Sequence, residues 1–181
     1  MTTIAGEELN QTARVVLGML AEGHSTGYAI KAEIERSTRQ FWSASVGGIY
    51  PELKRLAADG LVSVRDDPRG ETRRHCYSLT DAGRAALDAW LTDDREPVFE
   101  MRNEPLLRLR FAGVLPAAQR VALVHRMRAL YEQRIAALEA VVAADAFDDD
   151  YDRLASEFLL GLSRFARDWS AQLEDRVAGE S

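Results

Sequence analysis

The sequence predicts a mainly α-helical protein: an N-terminal winged helix-turn-helix with a two-stranded β-wing, then a C-terminal antiparallel helical dimerisation domain. Three observations lead there. Helix-period segments separated by turn signals fill the chain up to Ala58. Two short runs, Leu61-Val62 with Val64 and Cys76-Tyr77 with Leu79, are strand-like and flank the charged turn RDDPRGETRR. From Leu106 onward the pattern is helical almost throughout, with apolar residues three, four and seven apart.

The first segment, from Gln11, places Ala13, Val16, Leu17 and Leu20 on one face, with Gly23 as its stop signal. A turn at His24-Ser25-Thr26 leads into a second helix, GYAIKAEIERSTR. Ser25 or Thr26 suits its N-cap, because a hydroxyl there accepts a free backbone N–H of the first turn. Tyr28, Ala29, Ile30 and Ile34 are expected to face inward, and Ser45 is expected to cap the third helix.

In the third helix Ile49, Leu53, Leu56 and Ala57 form the buried face. The opposite face carries Gly47, Tyr50, Pro51, Lys54 and Ala58, small, aromatic and basic. Such a face suits close approach to another surface. Gly60 ends the helix, since a residue without Cβ takes the left-handed cap at little cost. Pro68 and Gly70 mark the turn of the wing. A helix of this kind would enter a DNA major groove, with the wing along the neighbouring backbone.

Thr80 is the expected cap of a fourth helix running to about Thr92, filled out by Ala85, Leu87, Ala89, Trp90 and Leu91. The polar stretch DDREPVFEMRNEP, with Pro97 and Pro105, reads as a hinge. The expected division is therefore 1–93 for the winged helix, 94–105 for the hinge and 106–181 for the helical domain. Leu106, Leu107, Leu109 and Phe111 make a short apolar helix ended by Gly113. Pro116 opens a helix to about Ala144, some 42 Å long at roughly 1.5 Å per residue. Val124, Tyr131 and Leu138 recur every seven positions in it. After an acidic loop from Asp145 to Asp152, the last helix carries Leu154, Phe158, Leu162, Phe165, Trp169 and Leu173 on one stripe. Two long stripes of this kind are expected to be buried against a second copy; a monomeric hairpin is the alternative.

Composition bounds the function. At 181 residues and 46% hydrophobic, the chain can bury a proper core. It has no apolar run long enough to span a bilayer, and MTTIAGEELNQT lacks the features of a signal peptide, so a cytoplasmic protein without a membrane partner is expected. One cysteine, Cys76, excludes an internal disulfide and a cysteine-rich metal site. His75 beside it does not complete a metal site, because strand neighbours point to opposite faces. Neither a nucleophile–base pair nor a phosphate loop nor a carboxylate dyad stands out, so neither an enzyme nor a cofactor is expected. The net charge of −6 argues at first against a nucleic-acid partner. Its distribution weakens that objection: residues 1–92 hold 11 Lys and Arg against 12 Asp and Glu, residues 93–181 hold 12 against 17. Local phosphate neutralisation matters more than total charge.

GGIYPELKRLAADGLV followed by RRHCYSLTDAGRAAL resembles the PadR family of bacterial transcriptional regulators. Gly27-Tyr28, Ile49-Tyr50-Pro51, Gly60-Leu61-Val62, Tyr77, Leu79-Thr80 and Gly83 carry the resemblance, and RNEPLLRL from Arg102 resembles the start of the family's C-terminal helical domain. The resemblance implies a homodimeric repressor that binds a near-palindromic operator. It also implies a response to a small aromatic or cationic compound bound between the winged helix and the C-terminal helices. The chain departs from the family at Gly48, where many relatives carry Ser or Thr that would fix the helix start or touch a phosphate.

The DNA-binding candidates are Ser45, Gly47, Gly48, Tyr50, Pro51, Lys54 and Arg55 from the third helix and its approach, and Arg69, Arg73 and Arg74 from the wing. Tyrosine hydroxyls and basic groups bond phosphates and base edges. Asp66, Asp67 and Glu71 are expected to pair with the wing arginines in the free protein. Trp90 and Phe99, flanking the hinge, are the candidates for a small aromatic ligand, although aromatic stripes are more often core. Val124, Tyr131, Leu138, Phe158, Leu162, Phe165 and Trp169 are the candidates for the dimer interface. The competing reading is a protein-interaction module, a winged helix and helical arm without specific DNA binding. The acidic C-terminal half is its support.

Overall fold

The computed structural model describes residues 9–38, 41, 48–67, 74–97, 99, 101–144, 147 and 150–179. By backbone contacts the chain divides after Glu96 into two compact units.

The first unit contains α1 (Gln11–Ala21), α2 (Gly27–Arg36), α3 (Ile49–Ala58), β1 (Val62–Asp67), β2 (Arg74–Leu79) and α4 (Asp81–Leu91). Side-chain oxygens cap three of these helices: Asn10 accepts from the Ala13 N–H, Thr26 from Ala29 and Thr80 from Gly83. Each satisfies a donor that helix geometry leaves orphaned. Helix α3 differs. It begins at Ile49 with Gly48 at the cap and no side-chain cap bond, and the expected cap, Ser45, lies outside the described residues. Gly60 takes φ 74°, the left-handed exit expected of it.

Ala13, Val16, Leu17, Ile30, Ile34, Ile49, Leu53 and Leu56 are almost wholly buried, and Val62, Tyr77 and Leu87 close the same core. Tyr28 is a correction: it is 77% exposed, because the inward face of α2 is set by Gly27, Ile30, Glu33 and Ile34. Strands β1 and β2 pair antiparallel with Val62 opposite Leu79, Val64 opposite Tyr77 and Arg65 opposite Cys76. Both strands reach further into the charged segment than their apolar residues indicate, and the wing turn with Pro68 and Gly70 lies outside the described residues.

The second unit contains α5 (Glu104–Arg110), a 3-10 turn (Ala112–Val114), α6 (Ala117–Ala144) and α7 (Asp150–Gly179). Asn103 caps α5 through the Leu106 N–H and donates its amide to the Tyr131 hydroxyl at 2.9 Å, which ties α5 to α6. Helix α7 starts inside the expected acidic loop, with Asp150 and Asp152 in its first turn, where the positive end of the helix favours carboxylates. Helices α6 and α7 pack as a hairpin around Ile135, Leu138, Leu159 and Leu160. Glu174 of α7 accepts from Arg128 of α6 at 2.8 Å and lies 3.0 Å from His125.

Candidate nucleic-acid interface

Helix α3 presents two faces. Ile49, Leu53 and Leu56 are sealed in the core, and Glu52 joins them at 8% exposure, which its sequence position does not reveal. A carboxylate that deep needs partners. Asn10 donates to both Glu52 oxygens at 3.2 Å, and Arg55 reaches one of them at 2.6 Å. One network thus locks the start of α1 to α3.

The outward face carries Tyr50, Pro51, Lys54 and Ala58, all exposed. Lys54 makes no ion pair among the described residues and presents its full charge outward. Arg55 differs from its neighbour: it is held by Glu52 and, at 2.8 Å, by Asp59. Its charge is largely answered within the chain. Tyr50 is only half exposed, at 51%, because its ring leans over Gly27 at the start of α2. Ser45 and Gly47 lie outside the described residues.

On the wing, Arg74 is exposed at the head of β2, while Arg69 and Arg73 lie outside the described residues. Arg65 on β1 is exposed too, a basic group the sequence analysis did not single out. Strand alternation from buried Val62 places Arg65 on the opposite face, together with exposed Ser63. Asp66 has two of its expected partners, Arg69 and Arg73, outside the described residues. Its carboxylate lies 2.8 Å from His75 Nδ1, directly across the ladder. Tyr77 is anchored at the base: its N–H donates to the Ser25 carbonyl at 2.7 Å, joining the wing to the turn before α2. Burial raises the Tyr77 phenol above the usual tyrosine value, and the neighbouring Tyr50 adds to the shift.

The aromatic pair proposed for a ligand falls in different units. Trp90 is half-buried against the winged-helix core, with the Arg14 guanidinium 5.6 Å from its ring centre. Phe99 is 87% exposed. Within the second unit, an open groove between α5 and α6 has Leu107, Phe111, Val114 and Leu123 on its walls and Arg108 and Arg126 on its rim.

The interface candidates separate cleanly. Val124, Tyr131 and Leu138 are buried within the second unit itself, so they are spent inside the chain. Phe158, Leu162 and Phe165 remain largely exposed on α7, and Trp169 is half-buried. The unit closes instead through Leu159, Leu160, Ser163 and Ser170, one step round the helix. Among the described residues no cluster of His, Cys, Asp or Glu could hold a metal, and no helix is long and apolar enough to cross a membrane.

Residues 16–89 match the family described as the transcriptional regulator PadR-like family, and residues 101–177 match the virulence activator alpha C-terminal family. Over 101 residues the chain is 34% identical to the negative transcriptional regulator PadR of Bacillus subtilis, a match covering 55% of this chain and 56% of that protein. The chain therefore spans little more than half the length of that relative. The crystal structure of Bacillus subtilis PadR with operator DNA superposes with a TM-score of 0.83 at 23% identity, over 91% of this chain and 98% of that one. The same regulator with p-coumaric acid gives 0.78 at 23% identity, over 92% and 98%. The Vibrio cholerae virulence activator AphA gives 0.71 at 24% identity, over 94% and 100%. At these identities the superpositions establish the fold: a winged helix followed by a helical domain.

Proposed function

We propose that this chain, whose residues 16–89 match the PadR-like family of transcriptional regulators, is a cytoplasmic, homodimeric, DNA-binding repressor that recognises a near-palindromic operator. The observation that carries the reading is the outward face of α3, where Tyr50, Pro51 and Lys54 stand exposed on a helix whose other face is locked into the core. Residues 1–93 serve as the DNA-binding domain, 94–105 as the hinge and 106–181 as the dimerisation domain. Lys54 and the wing arginines Arg69, Arg73 and Arg74 supply phosphate contacts, and Arg65 joins them. Gly48 and Pro51 let the start of α3 approach the groove closely. Arg55 is a weaker contributor, because binding phosphate would cost it Glu52 and Asp59.

Phe158, Leu162 and Phe165 supply the apolar surface that a second copy covers, with Trp169 at its edge. A stripe that large on a lone chain signals an interface. Since a related regulator binds p-coumaric acid, a small aromatic effector acts on this protein as well, and Trp90 and Phe99 are the candidates to meet it. The effector shifts the spacing of the two α3 helices away from the roughly 34 Å that one DNA turn requires.

The experiment is a gel shift against the duplex upstream of the protein's own gene, in moderate salt with competitor DNA. Tight, sequence-selective retardation that p-coumaric acid or a related phenolic acid weakens supports the proposal. Weak, indiscriminate binding supports a protein-interaction module instead.

A further inference from the structure

Gly27 sits at the first position of α2 and is buried, although its φ lies in the ordinary helical range. No turn demands a glycine there. What demands it is a neighbour. A Cβ built on Gly27 would stand 2.5 Å from Cε1 of Tyr50, and 3.1 Å from both Cδ1 and Cζ. The Tyr50 ring therefore lies directly against bare backbone.

We infer that Gly27 is a positioning residue: the missing side chain forms the seat that fixes the Tyr50 phenol at the DNA-facing surface of α3. The inference rests on the regulator reading above. The seat joins α2 and α3. Thr26 caps α2 independently of residue 27, through the Ala29 N–H at 3.1 Å, so the helix start survives a change at 27. Tyr77 of β2 is fixed through its backbone N–H to the Ser25 carbonyl, two residues before Gly27, so the turn that leads into the seat is held as well. A methyl group at 27 collides with the far end of a side chain, which swings away at little cost, and not with backbone. The fold persists while the phenol moves. Stability and DNA binding should therefore part company in Gly27→Ala.

The test uses the full-length protein and a 30-base-pair duplex that the wild type selects from a randomised library. Gly27→Ala should bind that duplex about tenfold more weakly, the worth of one displaced charge-assisted hydrogen bond. Its thermal midpoint should stay level or rise, since alanine favours helix over glycine. The ring resonances of carbon-13-labelled Tyr50 should move in the absence of DNA. In a Tyr50→Ala background, where nothing occupies the seat, Gly27→Ala should change binding no further. Wild-type affinity in Gly27→Ala, unmoved Tyr50 resonances, or the same tenfold loss in the Tyr50→Ala background would each overturn the role of Gly27 alone. A wild type that selects no duplex overturns the regulator reading, and the inference with it.

Discussion

Substituting Gly83 by alanine places a methyl group where the backbone cannot yield. Gly83 lies in the first turn of α4, and a Cβ there would come within 2.0 Å of the Leu61 carbonyl oxygen and 2.9 Å of its carbon. A carbon and an oxygen normally keep about 3.3 Å apart, so the strand entrance and the helix must separate by roughly 1.3 Å. The Leu61 carbonyl is not free to move. It accepts the Thr80 N–H at 3.1 Å, while the Thr80 hydroxyl donates to Gly60 at 2.8 Å and accepts from the Gly83 N–H at 3.0 Å. Breaking the Thr80–Leu61 bond costs about 1–3 kcal/mol, and forced overpacking about as much again. Higher helix propensity returns about 1 kcal/mol. The net loss is about 1–5 kcal/mol, and its centre near ~3 kcal/mol corresponds to a fall of roughly 12–24 °C in the melting midpoint of a unit this size. Tryptophan fluorescence in a Trp169→Phe background leaves only Trp42 and Trp90, both in the first unit, to report the transition. An unchanged or higher midpoint would refute the reasoning, because helix propensity alone predicts a gain.

Two further outcomes follow from the interface. Lys54→Ala should weaken operator binding and make log K fall about 0.9 less steeply with log salt, the release of one phosphate's counterions. An unaltered slope in a salt titration removes Lys54 from the phosphate contacts. Tyr77 titrates above the usual tyrosine value, so the fold favours its neutral phenol. The stability this contributes is complete below the unfolded tyrosine pKa and is lost as pH rises through the folded one. Tyr77→Phe should therefore flatten the alkaline fall in melting midpoint, and an equally steep fall would place its cause elsewhere.

Much of the first unit could be read from periodicity alone. Ala13, Val16, Leu17 and Leu20 in α1, and Ile49, Leu53 and Leu56 in α3, recur at helical spacing and are buried. The third-helix face bearing Tyr50 and Lys54 follows by subtraction. Periodicity misleads where residue type and face disagree: Tyr28 is expected inward, yet Gly27 and Glu33 hold the inward positions. It was blind to Glu52, whose burial depends on Asn10, a partner 42 positions away. In the second unit the sequence marked apolar stripes but not what each would meet. Helix α7 turns Ser163 and Ser170 inward, seven apart, their hydroxyls satisfied by the Leu159 and Ala166 carbonyls at 2.7 Å. Such small residues let a neighbouring helix approach closely, and a search for large apolar residues passes over them. The obvious stripe, Phe158, Leu162 and Phe165, is what the hairpin leaves uncovered.

The account stands on two chains joining through that uncovered stripe to present a pair of α3 faces to one duplex. Sedimentation equilibrium of the protein alone and with its selected duplex, wild type beside Phe158→Asp/Phe165→Asp, weighs that claim. The expected result is a particle of two 20.2 kDa chains, alone and on each duplex, with the double variant reduced to single chains that hold DNA far more weakly. A wild type that sediments as one chain and occupies its duplex as one chain would contradict it.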